Sequence, residues 1–461
     1  MYLALLWLTG VATFGAAVVG YLYSRDTFHP LMFLGPMLAY PYFIAPQQLW
    51  AKGIIELYLP LEVMPFVQLV YLAGVLSIFV GVLSAGRPGK HEVARAWPLT
   101  PKVRQRLRLA GQILGVLGVV AYLYTIFNVG GFEAAYGKAH GRGWSSLGYV
   151  REAKFWVLPA LLFMMLSLLG RRLRWKDWAW IAFMAGPLLF HGIVGGWRGQ
   201  TFAVVATLGL GWYIMRGRRP SVVTFAAAGV GLAMLVLLLV THREMLALGG
   251  EEFEFRGVEA FQDFTGRASR GHEYIYGSAT VYDSAERGDF QWGGRYVLKI
   301  VVRAIPRAIW PTQYEDVSQL LGISSYSDTF FPTLGWAPTK GASMGLLPDI
   351  WKQFWWFGVV VLFAIGRGYG AVWRRATGRG GLSVIVYVLI VAFSLYFTQQ
   401  TLQALLWRVM LLGGVSWTVW MALVNLAWRR AHSPTPATKE SGSGLPRAWV
   451  SNLPSGSEVK W

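Results

Sequence analysis

Six cations stand out as groups that could hold a phosphate-bearing ligand: Arg198, Arg243, Lys299, Arg303, Arg307 and Arg408. A guanidinium fork matches phosphate oxygens in two parallel hydrogen bonds and stays protonated, which suits a permanently charged diphosphate. Arg198 stands in Gly195-Gly196-Trp197-Arg198-Gly199-Gln200, where two apolar runs meet with almost no loop. The glycines there allow a ligand or a second backbone to come close. Lys299, Arg303 and Arg307 are spaced four apart, so a continuous helix would carry all three on one face. Pro306 is expected to end or kink that helix near Ile305 and turn Arg307 aside. Arg243 follows His242 at the end of another apolar run. Arg408 follows Gln399, Gln400 and Gln403 at the start of the last one. All of these groups are expected at one level of the molecule.

Proton transfer at a reacting hydroxyl needs an imidazole or a carboxylate within reach. His272, Glu273 and Asp349 are the candidates for catalysis, with Asp283, Glu315, Asp316 and Asp328 as further carboxylates. The sequence leaves the choice open. His191 lies inside an apolar run, where an ionisable group is a functional candidate or a histidine satisfied within the core. The chain has no cysteine, which excludes disulfides, thiolate nucleophiles and cysteine-bound metals. It has no HExxH, no Walker loop, no dinucleotide fingerprint and no cluster of metal ligands, so no metal and no cofactor are expected.

The elements that position these residues are membrane helices. Of the 461 residues, 55% are hydrophobic and only 14% are charged. A soluble domain carries about 25% charged residues. The chain therefore reads as an all-α polytopic membrane protein. Its net charge of +19 lies in short loops between apolar runs, so nucleic acid is not an expected partner. Eleven spans are expected, near 2–22, 31–50, 62–84, 107–128, 153–170, 178–196, 201–215, 221–240, 353–373, 382–402 and 407–428. Pro36, Pro41 and Pro46 should kink or break the second.

Five basic clusters follow alternate spans: 87–108, 171–176, 216–219, 367–379 and 429–430. Basic loops stay cytoplasmic, so the N-terminus is expected outside and the C-terminus inside. The division is then 1–240 with eight spans, 241–350 as an outer loop, 351–430 with three spans, and 431–461 as a disordered cytoplasmic tail. Residues 241–349 hold 14 of the 23 acidic residues but only 10 of the 42 Lys and Arg. Aromatics at 274, 276, 282, 290, 292, 310, 330, 331 and 336 suggest that this loop is a packed cap or a sugar-stacking surface with short helices of its own. Met1 leads into the first apolar run without a basic flank or a cleavage pattern, so that run is expected to remain as a helix. No internal repeat is visible.

Three short patterns resemble the bacterial oligosaccharide repeat-unit polymerases, the Wzy-type O-antigen and exopolysaccharide polymerases. They are Trp197-Arg198-Gly199 before a long apolar run, Ile305-Pro306-Arg307-Ala308-Ile309-Trp310-Pro311 in the outer loop, and Gly345 followed by Trp351, Phe354 and Phe357-Gly358. The third departs from the family pattern: Leu346 and Leu347 follow Gly345 where a glutamate is expected, and Asp349 is the nearest acid. The span number and the late, large outer loop are also similar.

The resemblance implies an architecture like the C-type glycosyltransferases in the bacterial inner membrane. It implies a glycosyltransferase that joins undecaprenyl-pyrophosphate-linked repeat units at the outer face. Donor and acceptor would be lipid-linked oligosaccharides, membrane lipids would surround the protein, and a chain-length regulator protein is an implied partner. Loop arginines are the family's substrate contacts, corresponding here to Arg198, Arg303 and Arg307. Two rivals remain: an O-antigen ligase with the same topology, and a transporter or flippase of lipid-linked glycans. Transport predicts charged groups at mid-span on several helices, which the sequence lacks apart from His191.

Overall fold

The computed structural model describes residues 1–87, 100–137, 148–246, 248, 269–306, 309–323, 330–339 and 342–432. Thirteen helices matter for the site. They are α1 (Tyr2–Ser24), α2 (Leu31–Ala39), α3 (Met64–Ser84), α4 (Pro101–Val129), α5 (Val157–Ser167), α6 (Trp175–Val194) and α7 (Arg198–Met215). After them come α8 (Val222–Thr241), α9 (Glu273–Arg287), α10 (Leu346–Phe354), α11 (Gly358–Arg379), α12 (Leu382–Ala392) and α13 (Leu402–Val419). Among the described residues there is no β-strand, only an isolated bridge between Phe331 and Trp336. The protein is an all-α, multi-pass membrane protein.

Seven helical stretches are long and apolar enough to cross a bilayer: Tyr2–Ser24, Leu61–Ser84, Pro101–Val129, Trp175–Val194, Val222–Leu239, Leu346–Arg379 and Leu402–Trp428. Helices suit that setting because every central N–H and C=O bonds within its own segment. The other four expected spans are helical but shorter, less apolar or interrupted. The second is broken where predicted, with a π-helical turn at Tyr40–Ile44 between α2 and Ala45–Ala51, and with Pro41 and Pro46 in the first turns of the new pieces. A 3₁₀ turn at Lys154–Trp156 leaves only eleven residues in α5. The 382–402 segment splits at Phe393 into α12 and Ser394–Gln399. α7 carries Arg198, Gln200 and Thr201 in its first turn, which lowers its hydropathy.

Short as it is, α5 forms the centre. Every one of its residues is buried, and it packs against α4, α6, α7 and α12. Lipid tails are as apolar as leucine, so helices associate through close packing and small residues let backbones approach. Two seams show this. On α4, Gly111, Gly115 and Gly118 face Ala160, Met184 and Val157, leaving no room for a Cβ. Between α3 and α11, Gly81 meets the backbone at Phe363, Gly366 meets that at Ile78, and Gly370 meets that at Val82.

The basic clusters gather at one end. Arg104 donates to the carbonyls of Ser167 and Leu169, and Arg108 pairs with Asp177 at 2.9 Å. Arg367 and Arg374 donate to Ser84 and Ala85. Arg219 pairs with the buried Asp26, which also accepts from Trp373. At the opposite end Tyr2 reaches Tyr274 of α9 at 3.0 Å, which sets the N-terminus beside the long polar loop of residues 241–350.

That loop is a packed cap. α9 lies against α3 and α10. Trp351 donates to the Val281 carbonyl, Trp336 donates to Tyr58, and Phe331 packs edge-on against Trp336. The expected one-face ladder of basic residues does not form. Residues 294–304 pass through α, π and 3₁₀ turns in succession, and each change of pitch rotates the next side chain away from the last. Ile305 before Pro306 is extended and ends the helix. Arg307 and most of the 431–461 tail lie outside the described residues.

Gly366→Val should force α3 and α11 apart, lowering stability by about 1–3 kcal/mol. Gly413→Val, where nothing lies within 4 Å of the added Cβ, should change it little. Tryptophan-fluorescence melts in detergent check the pair, and equal melting of both variants would contradict the seam.

Candidate functional site

Arg198 is delivered by a turn of three residues. α6 ends at Val194, Gly196 takes a left-handed φ of 67°, and Arg198 opens α7. Its Nη2 donates to Glu273 Oε1 at 3.1 Å. Glu273 comes from 75 residues further along and sits in the first turn of α9, where the helix dipole favours a carboxylate. Burial lifts the Glu273 carboxyl above the usual glutamate range, and Arg198 opposes that lift. The preceding His272 is the N-cap of α9: its Nδ1 accepts from the Tyr274 N–H at 3.2 Å. Burial pulls the imidazole down to about 4, so it stays neutral and keeps accepting.

The second cation stands across one aromatic ring. Tyr396 packs so tightly on Gly199 that any Cβ there would overlap the ring. The Arg408 guanidinium lies 4.0 Å from the centroid of that same tyrosine, and Arg408 Nη1 donates to the Ala404 carbonyl at 3.0 Å. Arg198 and Arg408, 210 positions apart, thus flank a single residue. Tyr396 feels the charges of Arg408, Glu152 and Arg198 together.

The third cation, Arg303, comes from the long polar loop of residues 241–350. Its guanidinium lies 4.7 Å from the Trp407 ring centroid and 3.8 Å from Glu152 Oε1. Glu152 is 7% exposed, and its Oε2 is buried without a hydrogen bond among the described residues. Two residues on, the buried Lys154 bonds through Nζ to His191 Nε2. His191 Nδ1 bonds the Tyr136 hydroxyl at 2.9 Å, and Tyr136 bonds Tyr122 at 2.9 Å. His191 is therefore a core histidine with both ring nitrogens engaged.

The structure links Arg198, Arg303 and Arg408 through shared neighbours: Gly199, next to Arg198, packs on Tyr396, Arg408 lies over Tyr396, Arg303 lies over Trp407 beside Arg408 in sequence, and Glu273 pairs with Arg198. Lys299 stands apart, with its amine 5.5 Å from the Tyr314 ring in a satellite cluster with Leu298 and Trp310. The Arg243 side chain and all of Arg307 lie outside the described residues. Asp349 is fully buried and ties helices together. Its Oδ2 accepts from Tyr296 at 2.8 Å and from the Leu402 N–H at 3.0 Å, capping the start of α13 from another helix. His272 and Asp349 thus have structural work. Among the described residues no group of three or more His, Asp and Glu side chains is placed to hold a metal ion.

Sequence reasoning missed Glu152, Lys154, Tyr396 and Trp407. A signal existed for the first two: Arg151-Glu152-Ala153-Lys154 puts three charges at the mouth of an apolar run. No local pattern distinguishes Tyr396 or Trp407 from lipid-facing aromatics.

The chain matches no protein-family model, no curated protein and no solved structure. Its class rests on its own helices: a multi-pass all-α membrane protein with a polar, cation-rich site at one end of the bundle.

Asp349→Ala should cost about 1–3 kcal/mol, because it strands a buried N–H and a buried hydroxyl. Tyr296→Phe should cost less, and the double variant should fall short of the sum. Thermal unfolding of the four proteins checks this, and strict additivity would contradict a shared bond.

Proposed function

We propose that this protein is a glycosyltransferase that polymerises undecaprenyl-pyrophosphate-linked oligosaccharide repeat units at the outer face of a bacterial inner membrane. The observation that carries the reading is a chain of contacts between three distant stretches: Gly199, next to Arg198, packs on Tyr396, Arg408 lies over Tyr396, and Arg303 lies over Trp407, the residue before Arg408. Transfer from a lipid pyrophosphate leaves negative charge on the departing diphosphate. Fixed guanidinium groups in a site shielded from water stabilise that charge. The aromatic faces of Tyr396 and Trp407 beside them suit the apolar face of a sugar ring or the start of a polyprenyl tail.

In this reading the basic end is cytoplasmic, the N-terminus and the site face outward, and all eleven apolar segments count as crossings of a bundle akin to the C-type glycosyltransferases. The shorter ones, α5 and α12, cross within protein that shields their ends. Transport is the weaker reading. The buried charged groups described above lie towards the two ends of the bundle: Asp26 and Asp177 at the basic end, Glu152 and Lys154 at the other.

Arg198→Ala and Arg408→Ala should each lower polymer formation by about 10²–10³-fold in a strain lacking the native chain, with single repeat units accumulating. Arg198→Lys should restore little, since an ammonium cannot form the two-pronged contact. Glycan ladders on gels read the outcome. Normal ladders from both alanine variants would end the proposal. Full-length polymer left unattached would instead favour a ligase, and translocation without new glycosidic bonds a transporter.

A further inference from the structure

We propose that Glu152 is the general base of this transfer, taking the acceptor hydroxyl proton on its unpartnered oxygen. The inference rests on the reading above and names a residue which that reading leaves open.

Four carboxylates come into question, and their geometry separates them. Asp283 accepts from Thr333 and pairs with Arg287. Asp349 also keeps one buried oxygen without a bond, but its side chain is wholly enclosed and its other oxygen holds α13 in place. Glu273 is in hydrogen-bond contact with Arg198. Glu152 alone of the four combines a loose ion pair, 3.8 Å from Arg303, with a second oxygen that nothing among the described residues engages. A buried carboxylate oxygen without a donor is costly, so its place in the fold calls for a donor beyond the described residues. A sugar hydroxyl is such a donor.

The neighbours fit the role. Arg303, 37% exposed in its side chain, covers Glu152 from the outer loop, so substrate reaches the carboxylate from that side. Arg303 contacts both Glu152 and the ring of Trp407, the residue before Arg408, so the proton acceptor lies beside two of the cations proposed for the leaving group. A bound diphosphate would draw Arg198, Arg303 and Arg408 to itself and leave the carboxylate to the acceptor.

The step balances. The acceptor O–H gives its proton to Glu152 Oε2 as its oxygen bonds to the anomeric carbon of the donor sugar. The bond from that carbon to the phosphate oxygen breaks, and its electron pair leaves on undecaprenyl pyrophosphate. Glu152 ends as a carboxylic acid and returns its proton to water when the product moves on. No oxidant, reductant or metal is needed.

The test uses purified full-length protein in detergent and lipid-linked repeat units extracted from cells that lack it. Glu152→Gln should slow chain extension by about 10²–10⁴-fold, while binding of undecaprenyl pyrophosphate, read by tryptophan fluorescence, stays within twofold. Glu152→Ala should regain part of its rate in sodium formate, which a purely structural role would not allow. Glu152→Asp, which keeps a carboxylate, should extend chains at least tenfold faster than Glu152→Gln, and covers the case in which the neutral variants fold poorly. Extension by Glu152→Gln within threefold of wild type overturns the assignment. So does a loss of binding that accounts for the whole loss of rate. If the wild-type protein itself lengthens nothing, the transfer reading falls first and the base falls with it. If wild type and Glu152→Gln both lengthen chains, only the base falls.

Discussion

Three guanidinium groups at the end of an apolar bundle resist leaving water. A charge at the centre of a membrane helix costs about 2.5–3.5 kcal/mol, and less towards the interface. Each arginine here has its own compensation: Arg198 an ion pair with Glu273, Arg303 a ring and a distant carboxylate, Arg408 the face of Tyr396 and a carbonyl. The Arg198 and Glu273 side chains are 35% and 21% exposed. Pairs that wet contribute about 0–1 kcal/mol, and a cation over an aromatic face about 0.5–2 kcal/mol. Such terms scarcely stabilise the fold. Their effect is to aim the guanidinium groups, and the bundle must supply the stability that holds the partners in place.

The bundle does so through small residues. Glycines on α4 and α11 let backbones touch, and α5 fills the centre although it is only eleven residues long. Glu152 and Lys154 enter just ahead of this short central helix, and both are buried there. Gly199 plays the same part locally. Any side chain there would push Tyr396 away and separate the second arginine from the first. The outer loop closes the arrangement: α9 supplies Glu273, the π and 3₁₀ turns supply Arg303, and Asp349 anchors the start of α13, two turns ahead of Arg408.

Much of the framework was legible in sequence, because hydropathy and the position of basic residues follow directly from the bilayer. The proline-broken second segment and the gathering of basic clusters at one end came through. Seven of the eleven expected spans are long and apolar enough to cross a bilayer, while α5 and α12 are helical but shorter, which hydropathy alone does not distinguish. Arg198 stands out in the sequence because it is a charge between glycines where two apolar runs meet, but its pairing with Glu273, 75 residues further on, was not legible there. The Lys299–Arg303 ladder misled because spacing of four implies one face only while the pitch stays constant. Glu152 escaped because its partner lies about 150 residues away, and no local pattern encodes such a meeting.

The central claim is that three distant arginines form one diphosphate site. A cryo-EM structure of the protein with undecaprenyl pyrophosphate tests it most directly. The account predicts phosphate oxygens at about 2.7–2.9 Å from guanidinium nitrogens of Arg198, Arg303 and Arg408. A headgroup seated instead at the basic end, beside Arg218, Arg219 and Trp373, with the three arginines still turned to their present partners, would contradict it.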